Sequence, residues 1–193
     1  QFGGEVMMQT FRGVEFPRGS GIVYETQGTR RTILPWCDNM VLNYGLNAYN
    51  AGGTSNQIYA CVVGTDNTAE APTQSGCLAP VAKANNGYIG FTPPSGAQST
   101  PPYYGWVEGK YRFSAGFAGG AVNLNECSFS LTTNGTLAEV NAASTSRART
   151  RDGNGDPTTV SVLADEYLDV YYRRRQYPGL VNADGSPNDA TGT

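Results

Sequence analysis

A chain of 193 residues and 20.5 kDa is the size of one domain. It carries 13 basic and 16 acidic residues, a net charge of −3, a pI near 4.9 and no histidine. This excludes Ser-His-Asp triads, Cys-His pairs and histidine-ligated zinc, and argues against a general or specific nucleic-acid binder.

Only 15% of residues are charged. The polarity comes from 19 Thr, 15 Asn and 12 Ser, beside 25 Gly and 11 Pro. Thr, Val and Tyr suit pleated surfaces, while Gly, Asn and Pro suit reversals, so short strands and turns are expected rather than a helical bundle. No run approaches the ~20 apolar residues that span a bilayer, so no membrane insertion is expected. The cysteines are Cys37, Cys61, Cys77 and Cys127, with no CxxC spacing. Two disulfides are open on parity, but a chain this long builds a core without staples, and four scattered, reduced, partly buried thiols are expected.

In chain order, Val6, Met8 and Thr10 alternate with Met7, Gln9 and Phe11 in a first extended segment. Phe16–Gly21 reads as a loop, and Ile22–Thr26 and Thr32–Leu34 as short strands. Residues 38–50 form the best helix candidate. Asp38 can cap it, Leu42, Gly45, Leu46 and Tyr49 form one stripe, and Gly52-Gly53 stops it. Gln57–Gly64 has almost no polar face and reads as a central strand buried on both sides. Thr65–Pro80 is turn-rich, with one helical turn expected near Gln74–Leu78. A strand is expected at Tyr88–Phe91, followed by a proline-rich loop.

From Tyr103 onward turn signals recur every 8–12 residues. Strands are expected at Trp106–Phe117, Val122–Leu131, Thr136–Asn141, Ser144–Arg151, Thr158–Leu163 and Tyr167–Arg175. Asn134-Gly135 and Asp152–Pro157 mark the tightest turns, the second a hairpin. The pattern predicts an all-β fold, an antiparallel, jelly-roll-like β-sandwich with one short α-helix. Residues 1–178 are expected to form this single domain, with 179–193 a mobile or partner-bound tail.

No motif supplies a reacting set, and no catalytic residue, metal or cofactor is expected. Asp152, Asn154 and Asp156 imitate the start of an EF-hand loop, but Pro157 and Leu163 stand where Gly and Glu are required. Asp165, Glu166 and Asp169 cluster at a strand entrance, where neighbours diverge, so solvated or ion-paired charges are expected rather than a glycosidase pair. Tyr103, Tyr104 and Trp106 are candidate glycan-stacking or interface aromatics. Arg30-Arg31 and Arg173–Arg175 read as ion-pairing groups at an interface. In the last strand, Leu168, Val170, Tyr172 and Arg174 share one face and Asp169, Tyr171, Arg173 and Arg175 the other. Tyr171, Arg173, Arg174 and Arg175 are the candidate interface set, against the reading of a solvated edge strand. Arg174 ends a core face, so the strand must emerge there or supply a carboxylate.

The order of several segments resembles structural proteins of tailed bacteriophages, of the tail and tail-fibre kind. These segments are Asn39–Leu46, Cys61–Thr65, Tyr103–Trp106, Tyr111–Phe113, Asn123–Cys127, Arg147–Arg149, Asp152–Thr159 and Val162–Val170. The likeness spans roughly residues 38–175. It departs at Gly64-Thr65-Asp66 and Thr73-Gln74-Ser75, where relatives often carry Gly-Thr-Gly and Thr-Asp-Thr. The resemblance implies a non-enzymatic virion protein, assembled in the bacterial host cytoplasm, whose partners are its own copies and other virion proteins. The alternative is a carbohydrate-binding module, which merges with the first reading if the partner is a host surface glycan.

Overall fold

The computed structural model describes residues 2–14, 27–50, 58–85, 95–97 and 105–176. Its elements are β1 (Phe2–Val14), β2 (Gln27–Val41), α1 (Asn43–Asn50), β3 (Ala60–Gly64), β4 (Pro80–Asn85), β5 (Ser95–Ala97) and β6 (Gly105–Phe113). They continue with β7 (Val122–Leu124), β8 (Glu126–Ser130), α2 (Leu137–Ala142), β9 (Ser144–Arg149), β10 (Val160–Val162) and β11 (Tyr167–Gln176). The strand at Ile22–Thr26, the strand at Tyr88–Phe91, the loop at 16–21 and the 179–193 tail lie outside the described residues.

Period-two alternation decides the layers. In β11, Leu168, Val170 and Tyr172 are buried on one face. They stand beside Val6 and Met8 of β1 and beside Tyr111 and Phe113 of β6. In the other sheet Cys61 and Val63 of β3, Cys127 and Phe129 of β8 and Ala148 of β9 point the same way inward. All join one hydrophobic cluster. The Phe129 ring stacks on Tyr172 at 4.1 Å and 20°, and meets Tyr111 at 5.6 Å, which ties the two layers together. The Tyr111 hydroxyl donates to the Ile58 carbonyl at 3.0 Å, so its polar end is satisfied inside the core.

The layers are β2-β1-β11-β6-β5 and β4-β3-β8-β9, with all pairings antiparallel, and β7-β10 forms a small third pair. The result is an all-β, sandwich-like fold. Strand β2 belongs to both layers. It follows β1 from Gln27 to Asn39 and then pairs Met40 and Val41 with Arg147 and Ser146 of β9. Strand β3 is buried at every position and lies between β4 and β8, as its unbroken apolar sequence predicts.

Local signals failed where a tertiary partner outcompeted them. The helix starts at Asn43, not near Asp38, because β2 keeps pairing through Val41, and Asp38 sits opposite Glu5 in the sheet. Leu42 N–H then donates to Thr145 O at 2.8 Å, turning the chain into α1. The strand expected at 136–141 is instead the Thr136 cap and most of α2 (Leu137–Ala142). Thr136 accepts from the Glu139 N–H while the Glu139 carboxylate accepts from the Thr136 N–H, a complete capping box. The strand expected at 106–117 ends at Phe113, with Gly116 and Gly119 at φ of 75° and 77° beyond it. The strand expected at 122–131 is cut at Asn125, whose N–H donates to Gly64 O. Gln74–Leu78 forms bends, not a helical turn.

The Asp152–Asp156 reversal is present, with Gly155 at φ 84° and Arg151 bridging Pro157. Its flanking strands do not form a hairpin ladder. β9 is occupied by β8 and β2, and β10 by β7. Cys61, Cys77 and Cys127 are buried and unpaired, and Cys37 lies on β2.

The outward face of the second sheet is covered by α2 and by the segment Thr65–Ala79. Ala60, Val62, Cys77 and Val140 form a second apolar cluster there. Beside it Glu126 and Arg147 are both fully buried and bonded at 2.7 Å and 2.9 Å. Glu126 also accepts from the N–H groups of Asp66, Leu78 and Ala79, while Arg147 donates to Thr68 O and Gln74 Oε1. Replacing Arg147 with Met leaves the buried carboxylate without its counter-ion and is expected to cost about 3–5 kcal/mol. Equilibrium denaturation of the Arg147→Met variant measures this; a loss under about 1 kcal/mol contradicts it.

Candidate interaction face

The candidate interface residues fall on β11, which is an interior strand between β1 and β6. The solvated-edge reading of this strand is therefore incorrect: both of its backbone edges are paired. Antiparallel register puts Glu5, Arg173 and Glu108 in one row across the outward face. Met7, Tyr171 and Lys110 follow in the next row, then Gln9, Asp169 and Arg112.

These rows form a lattice of paired charges and rings. Arg173 donates to Glu108 at 3.0 Å and lies 3.8 Å from Glu5, while its guanidinium sits 4.7 Å over the Trp106 ring. Asp169 is 1% exposed, held by Arg112 at 2.7 Å and 2.8 Å and by Lys110 at 3.2 Å. Lys110 also lies 5.1 Å over the Tyr171 ring, and Gln9 Nε2 donates to the Tyr171 hydroxyl at 3.1 Å. Glu5, Arg173, Glu108, Lys110, Asp169 and Arg112 sum to zero charge.

Of the expected set, Tyr171, Arg173 and Trp106 meet on this face. Arg174 is on the opposite face, buried beside Gly4 and Val107, so the strand has not emerged into solvent at that position. Arg175 follows opposite Gly3 and Trp106, with its side chain outside the described set. Tyr103 and Tyr104 lie outside the described residues. Sequence reasoning missed Glu5, Glu108, Lys110 and Arg112. Trp106, Glu108, Lys110 and Arg112 alternate at period two, a signal that was legible, but their partners lie 57 to 65 residues away along the chain.

The acidic cluster of the sequence is separated by the fold. Asp169 belongs to the lattice, whereas Glu166 is fully buried and accepts from the Leu163 N–H at 2.9 Å, holding a turn. Asp152 Oδ1 accepts from the N–H groups of Asn154 and Asp156, so this carboxylate organises its own loop.

A second charged ladder borders the Thr65–Ala79 segment. Glu70 accepts from the Arg149 N–H at 2.7 Å and binds the Arg149 and Arg151 guanidinium groups at 3.2 Å and 2.9 Å. Burial alone pushes the Glu70 carboxyl up, but the Arg149 N–H and the Arg151 charge outweigh it and hold the group below its ordinary value. Burial likewise raises the Cys61 and Cys127 thiols, leaving them protonated and weakly reactive.

Two outcomes follow from these charges. A depressed carboxylate stabilises the fold fully above its unfolded value and loses that contribution as pH falls through its folded value. The Glu70→Gln variant is therefore expected to be less stable at neutral pH and to show a flatter acid limb. Denaturant titrations at several pH values check this; an unchanged acid limb contradicts it. Arg173→Glu places three carboxylates in one row and is expected to lower stability by about 1–2 kcal/mol, read from the denaturation midpoint. Charge reversal at this position thus perturbs the fold itself.

Comparison with protein-family models, curated proteins and solved structures finds no match for this chain.

Proposed function

We propose that this chain is a non-enzymatic structural subunit of a tailed-bacteriophage virion, a tail, tail-tip or fibre component assembled from repeated contacts with its own copies and with other virion proteins. On the outward face of β1, β11 and β6, the row of Gln9, Asp169 and Arg112 is already buried within the chain. The observation that carries the reading is the half-buried part of that face, the rows of Arg173 and Tyr171. Its charges are already paired within the subunit, so covering it exposes no lone ion to desolvation. It combines Trp106, Tyr171, Met7 and Arg173, residue types enriched in interfaces. A modest contact of this kind gains strength when symmetry repeats it. The order of sequence segments between residues 38 and 175 supports the virion setting. Supporting a scaffold role, Asp169, Glu126 and Glu166 each hold the fold, by an ion pair or by a backbone N–H. The glycan reading is less favoured because one face of the Trp106 ring is already taken by the Arg173 guanidinium.

Two measurements test this. Mass spectrometry of purified particles, with a labelled chain imaged in place, is expected to find multiple copies. Sedimentation of the isolated chain is expected to show concentration-dependent association, weakened by Tyr171→Ser without a matching loss of stability. A chain that stays monomeric at every concentration and is absent from particles overturns the proposal.

A further inference from the structure

The turn between β8 and α2 contains Asn134-Gly135, both exposed. The Gly135 N–H makes no hydrogen bond among the described residues. Gly135 has a φ of 110°, and the space a Cβ would fill there is taken by Glu139 Oε2 at 2.6 Å, so only glycine fits this turn. The Thr133 hydroxyl donates to Asn134 Oδ1 at 3.5 Å. Lys83 Nζ donates to Thr133 O at 3.1 Å and to Gly135 O at 2.7 Å, so an ammonium spans the two carbonyls on either side of Asn134. The nearby Glu139 carboxylate accepts from Thr136 N–H and the Thr136 hydroxyl.

The same dipeptide at Asn154-Gly155 is a built-in comparison. There the Gly155 N–H donates to Asp152 O at 3.1 Å, and the Asn154 N–H donates to the Asp152 carboxylate at 2.8 Å. Both glycine carbonyls accept from a cation, Lys83 at one site and Arg151 at the other. The two sites differ in the glycine N–H, free at residue 135 among the described residues and occupied at residue 155, and in the Thr133 hydroxyl, which has no counterpart on the Asn154 side chain among the described residues.

We propose that Asn134 is a self-modification site that deamidates through a succinimide in the folded protein, well ahead of Asn154. Hydroxide removes the proton from Gly135 N, which attacks Asn134 Cγ. A C–N bond forms, and the Thr133 hydroxyl and Lys83 ammonium stabilise the negative charge that develops. The bond from Cγ to Nδ2 breaks, and ammonia leaves with a proton taken from water. Water then opens the ring at either carbonyl, giving aspartate or isoaspartate. The product adds one negative charge next to Lys83, which until then is bound only to carbonyls and lies near Glu139. Isoaspartate also lengthens the backbone just before the Thr136 cap of α2. The turn thus records the age of the subunit as a change of charge and shape.

The test incubates the full, folded chain in mildly alkaline buffer and follows both asparagines by peptide mapping with isoaspartate detection. Asn134 is expected to convert about tenfold faster than Asn154, and the gap is expected to close in denaturant. Thr133→Val is expected to slow Asn134 severalfold and leave Asn154 unchanged. Equal rates, a faster Asn154, no conversion at Asn134, or a gap that persists in denaturant overturns the proposal. So does an unchanged Asn134 rate in Thr133→Val, or a product in which Lys83 is joined to Asn134.

Discussion

The buried Glu126–Arg147 pair is the constraint on which one whole side of the molecule depends. Neither residue is exposed, and between them they engage the backbone or side chains of Asp66, Thr68, Gln74, Leu78 and Ala79. A segment of fifteen residues with no helix or strand of its own would otherwise carry a large conformational entropy and lie loosely over the sheet. The pair converts that segment into a wall of the second apolar cluster. Exchanging both ions for apolar side chains would not restore the arrangement, because Glu126 also satisfies three backbone N–H groups.

A second polar device completes the same wall. Asn141 on α2 accepts from the Cys77 N–H and the Ser128 hydroxyl and donates to the Cys77 carbonyl, each within 3.1 Å. It thereby pairs with the Cys77 backbone as a neighbouring strand would. Ser128 and Ser144 face it with small side chains bonded to one another at 2.9 Å, which lets α2 approach the sheet closely. The core between the sheets is apolar and aromatic, whereas the second layer is positioned by a few buried and fully engaged polar groups. Variation in Thr65–Ala79 can change the surface without disturbing Phe129, Tyr172 or Tyr111.

The sequence made some of this legible. The alternation in β11 separates Leu168, Val170 and Tyr172 from Asp169, Tyr171 and Arg173, and the apolar run of β3 marks a central strand. What it concealed were choices between local signals and distant partners. Asp38 offers a helix cap, but extended pairing with β1 and β9 keeps that residue in a strand. Asn134-Gly135 reads as a tight turn between two strands, while Thr136 and Glu139, three residues apart, encode the helix that forms. The outward lattice was half readable, since the ring and charge periodicity of β6 is local. The partners Glu5, Glu108 and Arg173 meet only through the strand order β1-β11-β6, which no local pattern specifies.

The register of β1 against β11 places Phe2 directly opposite Gln176, and the ladder runs through ten residue pairs to Phe11 and Tyr167. A pull that separates the chain at Phe2 from the chain at Gln176 therefore loads one rung at a time and peels the ladder open. A force applied along the strands from opposite ends would instead load every rung together in shear. This geometry makes the β1–β11 ladder mechanically weak when pulled apart at those two points and strong when loaded along its strands. Tension is better borne by attachments that load this ladder along its strands than by tethers at those two points.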